Sequence, residues 1–220
     1  MLFVVVLARH MAVQAYAWFA TIAGFAATIG LLSSLGLDKA VTYYLPEGRI
    51  QQTGAVLARF VWRMVGWRVA VLVAITAAGL GAWSRWTSVP TPPASLLLLV
   101  ALLIVATHCF QFLALILQCL VQQTILARVL LVQWGGRLLL LAALLYGAPS
   151  LSLQDALCAM AVPELLGSGV LVAALRRHLR HLVAHDPPCI SASAAWPPWR
   201  AVRTRMRDNY AYAWVWRVAP

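Results

Sequence analysis

Apolar residues in this chain come in unbroken runs, without the period-two alternation of a half-buried strand or the single stripe of an amphipathic surface helix. Five runs, roughly 12–36, 62–83, 95–117, 126–147 and 155–175, are each long enough to cross a hydrocarbon layer that takes about 20 helical residues. Inside lipid every backbone N–H and C=O must find its partner within the chain, which leaves helices or a closed barrel as spanning structures. Continuous runs select helices, because barrel strands alternate apolar and polar positions. The pattern predicts an all-α, polytopic transmembrane bundle of about six helices over residues 1–176: the five spans and a partial first helix at 1–8. A basic, Pro-containing segment is predicted at 177–209, and an aromatic run at 210–220 reads as the start of a further span or as an interfacial anchor.

Composition agrees: a chain 63% hydrophobic and 10% charged cannot cover a water-facing surface in the usual way. The charge that is present is unevenly placed. Lys39, Arg49 and Arg59 occupy the connection 37–61, Arg128 follows the turn near 122, and Arg176, Arg177, Arg180, Arg200, Arg203, Arg205 and Arg207 fill the tail. The alternate connections are poor, with Arg85 in 84–94, no basic residue in 147–154, and Arg9 with His10 near the start. By the positive-inside bias the rich set is cytoplasmic, which places the chain as a multi-pass protein of the inner (plasma) membrane. Topology and the anionic headgroups of membrane lipids then account for the net charge of +11, and nucleic acid is not expected as a partner.

Both ends read as parts of longer elements. Met1 to Ala8 is apolar and too short to span, as the outer end of a longer first helix would be. Cys109, Cys119, Cys158 and Cys189 have no paired spacing and read as packing residues. His178, His181 and His185 share a helical face in the tail, where a solvated basic surface is expected in place of a metal site. No metal ligand set and no cofactor motif is expected.

Polar residues inside the spans carry the chemistry, because a charge at mid-bilayer costs several kcal/mol on insertion scales and so faces a cavity or a partner. Arg137 and Glu164 lie about halfway along two spans joined by a short turn, so they are expected at similar depth, as partners or in one polar cavity. His108 and Gln111, with Gln118 beyond, make a polar stripe on 95–117. Arg63 reaches the headgroups easily, whereas Arg68, about 9 Å inward of position 62, reaches them only at a stretch. The cavity candidates are therefore Arg68, Arg137, Glu164, His108 and Gln111, with Arg68 and Arg137 named first as its cations. Pro163, next to Glu164, reads as a hinge or a static kink. Ala20, Gly24 and Ala27, with Gly79 and Gly81, permit close helix contact. The six acidic residues, Asp38, Glu47, Asp155, Glu164, Asp186 and Asp208, stand singly, so no catalytic residue is named and the chain is not read as an enzyme.

The turns are more specific. Leu7-Ala8-Arg9, then Ala15-Tyr16-Ala17-Trp18-Phe19, then Leu35-Gly36-Leu37-Asp38-Lys39-Ala40 and Tyr43-Tyr44-Leu45-Pro46-Glu47 follow in order. Gln122-Gln123-Thr124 joins two helices, with Arg137 deep in the second. Together these resemble the N-terminal half of polysaccharide-biosynthesis flippases of the multidrug/oligosaccharidyl-lipid/polysaccharide exporter superfamily. The chain lacks the acidic residue such proteins often carry near Val13-Gln14-Ala15. The resemblance implies flipping or export of a lipid-linked oligosaccharide by alternating access between two bundles, with cations drawing the substrate's pyrophosphate. It further implies a second half, a homodimer or polysaccharide-assembly proteins as partners. The alternatives are a non-transporting assembly partner of such a complex and a membrane enzyme acting on polyprenyl-linked sugars. As half of such a transporter, the product extracted from its native membrane is expected to have an intact mass about twice the 24.0 kDa of this chain. A product of 24.0 kDa would instead require a second copy or a partner.

Overall fold

The computed structural model describes residues 2–34, 36–51, 54–86, 93–147, 150–184 and 204. Seven helices follow one another: α1 (Leu2–His10), α2 (Val13–Ser34), α3 (Leu37–Gln51), α4 (Gly54–Trp86), α5 (Ala94–Cys119), α6 (Gln123–Gly147) and α7 (Leu153–Ala184). The fold is an all-α bundle. Five of the helices, α2, α4, α5, α6 and α7, are long and apolar enough to cross a membrane. Of the tail, 177–184 continues α7, while most of the basic segment, with His185 and Cys189, and all of the aromatic run at 210–220 lie outside the described residues.

Two boundaries differ from expectation, both for physical reasons. The connection 37–61 is mostly helix, because Leu37, Ala40, Val41, Tyr44 and Leu45 are buried at the i, i+3, i+4, i+7, i+8 spacing of an amphipathic face. That face packs on α5 and α4, and Gly36, at φ 75°, supplies the left-handed turn between α2 and α3. The span expected at 62–83 starts at Gly54, with its first turns held against the end of α7. At the opposite end of the bundle the break between α1 and α2 is pinned to the α6–α7 loop, where Leu151 N–H donates to the His10 carbonyl at 3.1 Å. Thus α1 is a short helix of its own, separated from α2 at Met11 and Ala12.

α5 and α7 form the centre. In each, 44% of the most apolar window is buried within the bundle, against 22% in α2, α4 and α6. Leu131, Val132 and Leu139 of α6 point outward, as suits a lipid-facing helix. The helices antiparallel to one another bury two apolar clusters, one at each end. The first gathers Leu57 and Met64, Leu113 and Leu117, Val129, and Leu171 and Leu175. The second gathers Leu72, Val100 and Ile104, Leu141, and Ala156 and Ala161. Arg68, His108, Gln133, Arg137 and Glu164, all buried, fall in sequence between the two clusters on their respective helices. They form a polar belt at the middle of the bundle.

The hydroxyls of α2 are neutralised locally. Thr21 donates to the Ala17 carbonyl, Thr28 to Gly24, Ser33 to Gly30 and Ser34 to Leu31. The α5–α6 turn closes with Gln122 N–H on the Leu117 carbonyl at 2.9 Å, placing Val121 at φ 60° where glycine is the usual occupant. α7 runs through Pro163 without interruption.

Of the glycines expected at close helix contacts, Gly79 is at one and Gly24 and Gly81 are not. A Cβ on Gly24 or Gly81 would meet open space, whereas one on Gly79 would press on Ile29 and Phe25. The tightest backbone approach is at Gly54, where a Cβ would lie 2.6 Å from the Leu182 carbonyl carbon. Gly54→Ala is expected to destabilise the bundle by about 1–3 kcal/mol, since backbone cannot give way as a side chain does. Gly24→Ala is expected to be neutral or slightly stabilising. Denaturant titration of the two variants in mixed micelles checks the difference.

Candidate functional site

The polar belt divides into two groups. On one side α6 turns Gln133 and Arg137, four residues apart and so on one face, toward Glu164 of α7. Arg137 Nη2 donates to Glu164 Oε1, and Gln133 Nε2 donates to Oε2 at 2.5 Å. The Arg137 guanidinium also lies 4.7 Å from the Trp134 ring centroid. Both Glu164 oxygens are therefore engaged, and the three side chains are 3–8% exposed. This is a neutralised cross-link between two helices. Sequence reasoning anticipated the partnership of Arg137 and Glu164 but not Gln133, whose spacing from Arg137 was the available signal.

On the other side is a partly open cavity of about 450 Å³ lined by residues of α2, α3, α4, α5 and α7. Arg68, His108 and Gln111 line it, together with Asp38 and Thr107. Arg137 and Glu164 do not, so Arg68 and Arg137 are not two cations of one cavity. Gln118 is also absent from this lining: it is exposed near the α5–α6 turn. Arg68 belongs to the belt and is 4% exposed, so its head does not snorkel to an interface as the headgroup reading requires.

Arg68 is the least compensated group in the belt. Its guanidinium lies 5.6 Å from the Phe112 ring centroid, while Nε and Nη1 are buried without a hydrogen-bond partner. Thr107 Oγ1, on the same cavity wall, is also buried and unpartnered. His108, by contrast, is held: Nε2 is 2.8 Å from the Ala26 carbonyl oxygen and Nδ1 is 3.2 Å from Gln111 Oε1. Gly30 lies directly beneath the ring, and a Cβ there would occupy the ring's place. His108 thus ties α5 to α2 and fixes one wall.

Asp38, in the first turn of α3, is half-buried at the cavity edge. Burial pushes its carboxyl above the ordinary carboxylate range, against the pull of Arg68 and then of His108. Asp38 was seen in the sequence only as one isolated carboxylate in a connection. Its place opposite Arg68 depends on α3 being a helix docked on α4 and α5.

The lining is segregated along the bundle. Asp38, Ser34, Gln111, His108, Thr107 and Arg68 lie toward the α2–α3 end, whereas Phe19, Ile22, Leu103, Leu157 and Met160 lie toward the α1 end. On α7, His178 is half-buried and His181 exposed; no group of three potential metal ligands comes together among the described residues. Cys109, Cys119 and Cys158 are free and partly buried.

No known protein family, characterised protein or solved structure matches this chain. The two halves of the belt make opposite predictions for stability. Arg137→Met leaves a buried carboxylate with only Gln133 and is expected to destabilise by about 3–5 kcal/mol, with Arg137→Met/Glu164→Leu recovering most of the loss. Thermal unfolding of the purified variants in detergent checks this; an uncharged pair no more stable than the single variant would argue against a cross-link.

Proposed function

We propose that this chain is a transport bundle that carries an amphiphilic anion, the phosphate-bearing lipid-linked oligosaccharide of polysaccharide assembly, across the inner membrane by alternating access. The observation that carries this reading is Arg68: a cation in the middle of the bundle, 4% exposed, with two guanidinium nitrogens unpartnered among the described residues, on the wall of a cavity. A buried charge left uncompensated is expensive, and ionisable groups kept within membranes at that cost mark substrate pathways. The amphiphilic lining supports the substrate class, since a lipid in the leaflet at the α2–α3 end has its head at that end and its chain directed toward the membrane centre. The basic α2–α3 end supports that end as cytoplasmic, by the positive-inside bias.

The resemblance in the turns supports the oligosaccharide and the exporter superfamily. Alternating access needs a second bundle to rock against this one, whether in the same polypeptide, in a second copy or in another chain. Catalysis plays no part in the reading, because a flippase changes the position of its substrate and not its bonds.

Arg68→Met is expected to abolish movement of a fluorescent polyprenyl-diphosphate-linked saccharide in proteoliposomes, and Arg68→Lys to retain part of it. The same Met substitution is expected to leave thermal stability unchanged or raise it by about 1 kcal/mol or more, because it removes a charge that burial disfavours. Transport at the wild-type rate in stably folded Arg68→Met would overturn the proposal.

A further inference from the structure

The cavity holds a fixed cation and a carboxylate on separate helices, and of these two only the carboxylate can change its charge in the working range. Arg68 keeps its proton under all ordinary conditions. Asp38 is on α3, and the groups that face it are few: Arg68 from α4 and His108 from α5. The lining contributed by α2 and α7 is uncharged. Of the α2 groups near the α2–α3 end, Ser34 spends its hydroxyl proton on its own helix, at the Leu31 carbonyl. On α3 itself, Lys39 follows Asp38 but is exposed.

An anion that enters to reach Arg68 thereby takes its place in the same 450 Å³ as the Asp38 carboxylate. It competes for the one strong cation of the cavity and adds a like charge beside the carboxyl. Both effects favour the protonated acid. We propose that Asp38 is the site of a second ligand, a proton, which the cavity takes up with its anion, so that one unit of the anion's charge is offset. This rests on the reading of Arg68 as the anion site and adds a coupling ion to it. The proton comes from water and resides on an Asp38 carboxyl oxygen, with no bond of the anion broken. When the anion leaves, Arg68 again faces an ionised Asp38 and the proton is released.

The position of Asp38 suits this part. Burial already raises the pKa of its carboxyl, the same direction in which an entering anion pushes it. The sign follows from linkage: anion binding raises the Asp38 pKa, so binding takes up a proton, and anion affinity falls as pH rises from the pKa of the free carboxyl to that of the complex. Within that interval the loss approaches about tenfold per pH unit for one linked proton, and above it affinity levels off.

The test uses the full chain in detergent micelles with octyl sulfonate as probe, an anion whose head does not itself titrate near neutral pH. Retention of labelled probe is measured against Arg68→Gln, which subtracts partition into micelles, and proton uptake is read with an indicator dye in weakly buffered solution. The expected result is Arg68-dependent retention accompanied by proton uptake, with affinity falling as pH rises by up to about tenfold per pH unit over the range in which uptake is seen. Asp38→Asn, a mimic of the protonated acid, is expected to bind with a flat pH profile and no uptake, and Asp38→Glu to keep the uptake.

Arg68-dependent retention without proton uptake would overturn the coupling and leave the transport reading standing. Uptake that persists in Asp38→Asn would overturn it equally, by placing the proton elsewhere. Binding lost in Asp38→Asn but kept in Asp38→Glu would make Asp38 a shape-holding residue and reject the proton site. Absence of any Arg68-dependent retention in the wild type would remove the anion site itself, and the functional reading with it.

Discussion

The requirement that polar groups at the middle of a lipid-embedded bundle be compensated within it governs this structure. Backbone groups meet it by forming helices. Side chains meet it in the polar belt, which separates the apolar clusters at the two ends. Glu164 is satisfied from two directions by Gln133 and Arg137, and His108 by Ala26 and Gln111. Arg68 is satisfied least, since an aromatic face at 5.6 Å and a carboxylate across a cavity do not replace hydrogen bonds. The interest of the site lies in that unequal treatment of two arginines in one belt.

The two arginines also occupy different mechanical settings. Arg137 joins α6 to α7 beneath Pro163 and Gly167, where a Cβ on Gly167 would already press on the Phe110 ring. That region is closely fitted on its inner side. The cavity's α2 wall is held closely at one point, where the His108 ring sits over Gly30. The rest of α2 has little of its surface buried in the bundle, so away from that point a change in the cavity's width meets less resistance from packing on α2 than on α7.

The number and class of spanning helices were legible because a continuous apolar run of about 20 residues has few other uses. Arg137 with Glu164 was legible for a related reason: a short turn sets two mid-span residues at equal depth. Two things were hidden. α3 was obscured by Asp38, Lys39, Pro46 and Arg49, whose polar character drew attention from the apolar spacing of Leu37, Ala40, Val41, Tyr44 and Leu45 on the other face. With α3 read as a loop, nothing placed Asp38 near Arg68. The depth of Arg68 was misjudged because the apolar run was counted from 62, while the helix and its packing against α7 begin at Gly54. The close contact at Gly30 was unreadable as well, unlike that at Gly79, since Gly30 and Gly24 have the same local sequence character and only the neighbouring helix decides that His108 sits over one of them.

The hydroxyls of α2 bear on how this helix meets its solvent. Thr21, Thr28, Ser33 and Ser34 each donate to a carbonyl three or four residues earlier on the same helix. Their protons are turned along the helix, so at the exposed Thr21 and Thr28 the surrounding hydrocarbon meets mainly methyl groups where the sequence spells threonine. A residue-by-residue hydropathy sum charges α2 for four polar side chains whose polarity is largely spent on its own backbone. As a solvent surface, the helix is more oily than its letters.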